Sequence, residues 1–231
     1  MTKLEKYLNS RGENMNKVVE VDSLKSLLKD GITIMIGGFL GCGTPEKLVD
    51  LVIDMNIKNL TIIGNDTSFV DKGIGRLIAN NQVKKVIASH IGTNAETGRL
   101  MNEEKMEVEL SPQGTLIERI RAGGFGLGGV LTETGVGTLV EENKQKINVG
   151  EKEYLLELPL KADIGFIKGS IVDKFGNVYY KGTTKNFNPM IAMASDKVIV
   201  EAESLVNTGE IKQESVMTPG VLIDYIVKGD E

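Results

Sequence analysis

Apolar and polar positions along the chain follow two rhythms, one strand-like and one helix-like. Ile32 to Ile36 is a short, largely β-branched run bounded by Asp30-Gly31 on one side and Gly37-Gly38 on the other, which predicts a buried strand. Ahead of it, Leu24, Leu27 and Leu28 share one helical face over Ser23 to Lys29, with Asp22 placed to cap. Behind it, Leu48, Val49, Leu51, Val52 and Met55 keep helical spacing to near Asn56, and Leu60 to Ile63 forms the next strand. A strand-helix-strand order implies a parallel sheet.

The same alternation continues. A short helix is predicted over Gly75 to Asn80, a strand over Lys84 to Ala88, an exposed helix over Glu96 to Lys105, a brief strand at Val108 to Leu110 and a helix over Thr115 to Ala122. The polar stretch Asn148 to Glu153 separates Gln145–Ile147 from Tyr154–Leu158 as a hairpin would. Ala162 to Lys168 and Lys197 to Glu201 read as strands, Asp173 to Asn177 as a turn, and Asn186-Phe187-Asn188-Pro189 as the opening of a helix through Met193. Val221 to Val227 closes the fold, which is of the α/β class.

The densest chemistry lies after the first strand. Gly37, Gly38, Gly41 and Gly43 precede Thr44-Pro45-Glu46, where Thr44 can cap a helix, Pro45 suits its first position and Glu46 complements its dipole. A glycine loop there lets backbone approach a ligand, and its N–H groups favour anionic or carbonyl oxygens. The phosphate loop of nucleotide-binding proteins is excluded, because no Lys follows the last glycine. A dinucleotide fingerprint starting at Gly41 meets Glu46 where glycine is required. A second cluster, Gly123 to Gly129, does satisfy Gly-x-Gly-x-x-Gly at Gly124, Gly126 and Gly129, but a helix precedes it and a strand follows, so NAD is not predicted. Asn65, Asp66 and His90 follow predicted strands and fall on the same end of the sheet, where ligands gather in open α/β folds.

Composition narrows the classes. With 231 residues the chain can bury a full core, and 27 glycines against 5 prolines favour functional loops over low complexity. A net charge of −5 argues against nucleic acid as a partner. One cysteine, Cys42, and one histidine, His90, cannot supply the usual four zinc ligands, so no metal is expected; Cys42 alone suits a reducing cytoplasm. No apolar run approaches the ~18–20 residues of a membrane span. Met1 to Asn14 lacks a signal-peptide core and reads as a flexible leader or alternative start, leaving 15–231 as one domain.

The order Asp-Gly, three apolar residues, Gly-Gly-Phe, Gly-x-Pro, held by Asp30, Gly31, Ile34 to Ile36, Gly37, Gly38, Phe39, Gly43 and Pro45, resembles the signature of class I coenzyme A transferases, α (A) subunit, of the acetate and butyrate–acetoacetate type. Pro112-Gln113-Gly114-Thr115 with Glu118-Arg119-Ile120-Arg121, and Thr132 to Thr138 with Glu133 in place of a common proline, are also similar to that family. The resemblance implies a three-layer α/β sandwich with a mainly parallel or mixed open sheet. It implies that Gly37, Gly38, Phe39, Leu40, Gly41, Cys42 and Gly43 bind coenzyme A as a substrate, with no tightly bound cofactor, and that Gln113 contacts substrate; Asn65, at a strand end on the same face, is also expected to contact substrate.

In this family a glutamate attacks the acyl-CoA thioester and passes through an anhydride and an enzyme-CoA thioester. Two-subunit members carry it on the β chain within Glu-Asn-Gly, whereas here Glu142-Asn143 is followed by Lys144. No catalytic residue is therefore expected in this chain, and a β partner in an (αβ)n assembly is. Two other readings remain open: a sugar-phosphate-isomerase-like enzyme, which needs an acid/base carboxylate pair in this one chain, and a non-catalytic ligand-binding regulatory module, which is expected to carry a DNA-binding or effector segment.

Overall fold

The computed structural model describes residues 17–229; the expected leader lies outside them. The chain is organised about β1 (Thr33–Ile36), a four-residue strand whose last three side chains are buried. From β1 the sheet grows outward in chain order through β2 (Leu60–Ile63), β3 (Val83–Ala88) and β4 (Glu107–Leu110). The connections are α1 (Glu46–Asp54), α2 (Ile74–Ala79) and α3 (Ala95–Asn102). The chain then returns to the other side of β1, placing there β8 (Ala162–Asp173), β10 (Ser195–Val206) and β11 (Tyr225–Lys228), so the strand order is β11-β10-β8-β1-β2-β3-β4. All of these pair in parallel, and only β9 (Val178–Tyr179) adds antiparallel pairing, against β8. The build-up reverses between β1 and β8, which makes that junction the switch point of the sheet.

Helices cover both faces. On one, Leu48, Leu51 and Val52 of α1 with Leu77 and Ile78 of α2 pack on Ile34, Ile36, Leu60 and Ile62. On the other, Leu116 and Ile120 of α4 (Gln113–Phe125) with Ile191 and Ala192 of α5 (Asn188–Ala194) pack on Met35, Ile63, Ile167 and Val198. Alternate residues of β1 thus feed opposite cores, Ile34 and Ile36 one and Met35 the other. This is the expected three-layer α/β sandwich. A separate antiparallel sheet, β5 (Val130–Thr132), β7 (Lys152–Glu157) and β6 (Lys146–Val149), contains the hairpin expected around Gly150.

Three local expectations are corrected. The first helix is a 3-10 helix, Val21–Leu27, without the Asp22 cap. Thr44 does not cap α1; Pro45 occupies the capping position and offers no side-chain hydrogen bond. The cap comes from a distant strand, because Glu201 of β10 accepts the Lys47 N–H at 2.9 Å through Oε2. Burial raises the Glu201 carboxyl, and Lys168 and that N–H oppose the shift. Finally, Gly123 and Gly124 are not loop residues but lie inside α4. A Cβ on Gly123 would sit 1.9 Å from the Leu160 carbonyl oxygen, and one on Gly124 2.8 Å from Met193 Cβ of α5, so these glycines permit close packing of α4.

α4 is joined to the small sheet by charge. Arg119 donates from Nη1 to Glu109 at 2.7 Å and from Nε to the Leu158 carbonyl at 2.9 Å. Glu157, buried on β7, faces Arg119 Nε at 3.8 Å and accepts from Lys144 at 2.6 Å. Glu118 pairs with Arg121 one turn along α4 at 2.6 Å.

Candidate functional site at the switch point

The glycine loop leaves β1 at the junction where the sheet reverses. Gly37 N–H donates to the Phe166 carbonyl of β8 at 3.0 Å, continuing the pairing one residue past the strand. The chain then folds into a tight turn in which Phe39 and Cys42 exchange both backbone hydrogen bonds, at 3.0 and 2.9 Å. Its middle residues, Leu40 at φ 51° and Gly41 at φ 83°, are both left-handed. The N–H groups of Phe39 and Cys42 are therefore spent inside the turn, and that of Leu40 goes to Asp66 Oδ2 at 3.0 Å. Those of Gly38, Gly41 and Gly43 meet no acceptor among the described residues.

The segment after β9 completes the wall. The 3-10 turn Gly182–Thr184 lies against the loop, with Thr183 Oγ1 3.0 Å from Cys42 Sγ. Asn188, fully buried at the start of α5, donates from Nδ2 to the carbonyls of Gly43 at 3.2 Å and Thr184 at 2.7 Å, stitching the two segments together. Its Oδ1 lies under Gly37, where an added Cβ would come within 1.7 Å, and so only glycine fits there. Between the segments opens a pocket of about 470 Å³ lined by Phe39, Leu40, Cys42, Thr183 and Asn186. Its mostly apolar wall with a few polar tips suits a small, largely apolar ligand group.

A polar chain leads away from it along the carboxyl ends of the strands. Gln113, the first residue of α4, donates from Nε2 to Asn65 Oδ1 at 2.9 Å, and Ser89 Oγ donates to the same oxygen at 2.9 Å. Asn65 Nδ2 reaches Asn186 Oδ1 at 3.3 Å, so the amide that follows β2 links Gln113 to the pocket lining. Asn65 is 1 % exposed whereas Gln113 is exposed, which makes the first an orienting group and the second the accessible one. Gln113 does not cap α4.

Asp66 and His90 meet in an isolated parallel bridge beyond β2 and β3, and His90 is exposed. Burial raises the Asp66 carboxyl above its usual range, against the N–H groups of Leu40 and Ser68 and the charge of His90, which favour the anion. The strand-end reading placed Asn65, Asp66 and His90 on one face with the glycine loop, and the structure brings them there together with Gln113, to which the family resemblance pointed. Sequence reasoning missed Thr183, which drew no reading, and Asn186 and Asn188, which were read only as the opening of a helix. Their one sequence signal was a run of small and amide residues before Pro189.

A strand, glycine turn and helix at the switch point of a three-layer sandwich, with an apolar pocket beside it, form a ligand-binding site of the open α/β kind. Residues 19–229 match the family described as Coenzyme A transferase, and the chain belongs to that family. It is 64% identical over 213 residues to the acetoacetyl-CoA:acetate/butyrate CoA transferase alpha subunit of Clostridium acetobutylicum, covering 92% of this chain and 98% of that one. It is 52% identical over 215 residues to the acetate CoA-transferase subunit alpha of Escherichia coli K12, covering 93% and 98%.

Among solved structures, the fold is shared with an acyl-CoA transferase of Escherichia coli O157:H7 at TM-score 0.81 and 22% identity. That match takes in 94% of this chain and 48% of the other, so this chain spans about half its length. Glutaconate coenzyme A-transferase from Acidaminococcus fermentans matches with TM-score 0.81 at 19% identity, over 92% of this chain and 75% of that one. Among the described residues no helix is long and apolar enough to cross a membrane.

Proposed function

We propose that this chain is the α subunit of a short-chain acyl-CoA:carboxylate CoA-transferase, moving coenzyme A between acetoacetyl-CoA or butyryl-CoA and acetate. The observation that carries this reading is the 64% identity, over 98% of its length, to an alpha subunit named for acetoacetyl-CoA and acetate/butyrate. Gly37 to Gly43 bind the coenzyme A portion: the open N–H groups of Gly41 and Gly43 are available to oxygen, and Phe39, Leu40 and Cys42 wall the apolar pocket. Gln113 contacts the carboxylate or thioester oxygen, and Asn65 orients it. Coenzyme A enters as substrate, not as a resident group.

The nucleophilic glutamate comes from a β subunit. It attacks the thioester carbonyl, coenzyme A leaves as thiolate, and the acyl group remains as an anhydride; the thiolate then attacks the glutamyl carbonyl, releasing the acid and leaving a glutamyl-CoA thioester. The incoming acid takes over that thioester by the reverse steps. This chain's part is to hold the thioester oxygen and the acyl chain in place while its partner reacts. The reaction is placed in a reducing cytoplasm, in keeping with the single free thiol of Cys42.

The test is a coupled assay with acetoacetyl-CoA and acetate, on this chain alone and mixed with its β subunit. Turnover only in the mixture supports the division of labour; full turnover from the chain alone refutes it. Binding of sugar phosphates in preference to coenzyme A esters would favour the isomerase-like reading instead.

A further inference from the structure

The tightest corner of the glycine loop is built against the preference of its own sequence. A two-residue turn with both middle residues left-handed is the geometry favoured by Asn-Gly or Asp-Gly, whereas here Leu40, a bulky residue, holds φ 51° ahead of Gly41. For such a residue the left-handed well is sterically unfavourable, and it persists only where surrounding contacts over-determine it. The turn's own two hydrogen bonds involve Phe39 and Cys42 and leave the Leu40 N–H pointing outward. That N–H finds Asp66 Oδ2 at 3.0 Å. Asp66 is 3 % exposed, is fixed by its bridge to His90, and also takes a backbone hydrogen bond from Ser68, another left-handed residue at φ 54°. One buried carboxylate therefore holds backbone from the loops that follow two neighbouring strands.

We propose that Asp66 is a positioning residue that locks the Phe39–Cys42 turn in its left-handed form and so fixes the pocket wall made by Phe39, Leu40 and Cys42. A hydrogen bond from N–H to a carboxylate is roughly twice as strong as one to a neutral oxygen, which is enough to offset the strain at Leu40. Without it the turn relaxes toward a right-handed form at Leu40, and the side chains on either side of it rotate out of register with Thr183 and Asn186. The consequence for catalysis rests on the reading of Gly37 to Gly43 as the coenzyme A loop; the lock itself does not.

Cys42, the single cysteine of the chain, is exposed at the closing position of the turn and reports its geometry without reference to any ligand. The experiment measures the rate of iodoacetamide alkylation at the Cys42 peptide in the purified chain, and the KM for acetoacetyl-CoA in the assembled enzyme, for Asp66→Ala, Asp66→Ser and Asp66→Asn. Ala and Ser offer no oxygen that reaches Leu40; Asn does, and it rescues. Asp66→Ala and Asp66→Ser should each change the alkylation rate and raise KM by about tenfold, with Asp66→Asn within about threefold of the parent.

Combining Asp66→Ala with Leu40→Gly, which removes the strain, should leave an alkylation rate close to that of Leu40→Gly alone. Alkylation unchanged in both Asp66→Ala and Asp66→Ser, or Asp66→Asn no closer to the parent than they are, overturns the lock. A changed alkylation rate with an unchanged KM leaves the lock standing and removes the coenzyme A loop from the reading. If Asp66→Ala fails to fold, Asp66→Ser carries the same comparison.

Discussion

The junction between the glycine loop and α5 can be tested with one methyl group. Gly37 does not occupy a left-handed conformation, so Gly37→Ala adds no backbone strain and its effect is steric. The new Cβ would lie 1.7 Å from Asn188 Oδ1, 2.6 Å from its Cγ and 3.1 Å from its Nδ2. Asn188 is fully buried and cannot swing into solvent. To make room it must leave the carbonyls of Gly43 and Thr184, to which it now donates at 3.2 and 2.7 Å.

Overpacking of this kind costs about 1–3 kcal/mol, and carbonyls left unpaired in the interior cost a further ~1–3 kcal/mol. A combined loss of roughly 2–6 kcal/mol is a large share of a typical domain's stability. Urea denaturation followed by circular dichroism reads it as a lowered midpoint at unchanged slope. Asn188→Ala removes the obstruction along with the hydrogen bonds, so Gly37→Ala combined with Asn188→Ala should be no less stable than Asn188→Ala alone. A Gly37→Ala protein within about 0.5 kcal/mol of the parent, or one whose cost simply adds to that of Asn188→Ala, would refute the packing argument.

Arg119→Met removes the cation between Glu109 and buried Glu157, and should lower stability by roughly 3 kcal/mol in the same denaturation assay, with Arg119→Lys intermediate. For Glu109, burial pushes the carboxyl up, but the Arg119 and Lys85 contacts outweigh it and hold the group below its ordinary value. Its contribution to stability is therefore present above that ordinary value and fades as pH falls through the lowered one, so Glu109→Gln should flatten the denaturation midpoint between neutral pH and about pH 3. Asp66 and Glu201 are shifted upward and act with the opposite sign, disfavouring the fold as pH rises through their raised values; Glu201→Gln should remove part of that loss. Gln113→Ala in the assembled transferase should lower kcat/KM by about tenfold while changing the denaturation midpoint little, and an equal loss in stability and activity would reassign Gln113 to a structural role.

The chain's local chemistry made much of this fold legible. β-branched runs bounded by glycine and polar turns located β1, β2 and β3 to within a residue, because buried parallel strands must be continuously apolar and must stop where backbone has to turn. The glycine loop, the hairpin at Gly150 and the placement of Asn65 at a strand end followed from the same short-range reasoning, while Gln113 was pointed to by the family resemblance. What distant segments do to one another was not legible. The cap on α1 is supplied by Glu201, 154 residues from Lys47, and the clasp on Gly43 by Asn188, 145 residues away. Gly123 and Gly124 looked like a loop because glycine is a poor helix former, and the need for α4 to approach Leu160 and Met193 closely overrode that propensity.

The sequence by itself determined the α/β class, the chemistry of the loop after β1 and the family signature, since each depends on residues adjacent along the chain. Only the tertiary structure decided which groups cap, clasp and wall that loop. Those contacts exist because the sheet reverses between β1 and β8, bringing segments far apart in sequence to one edge.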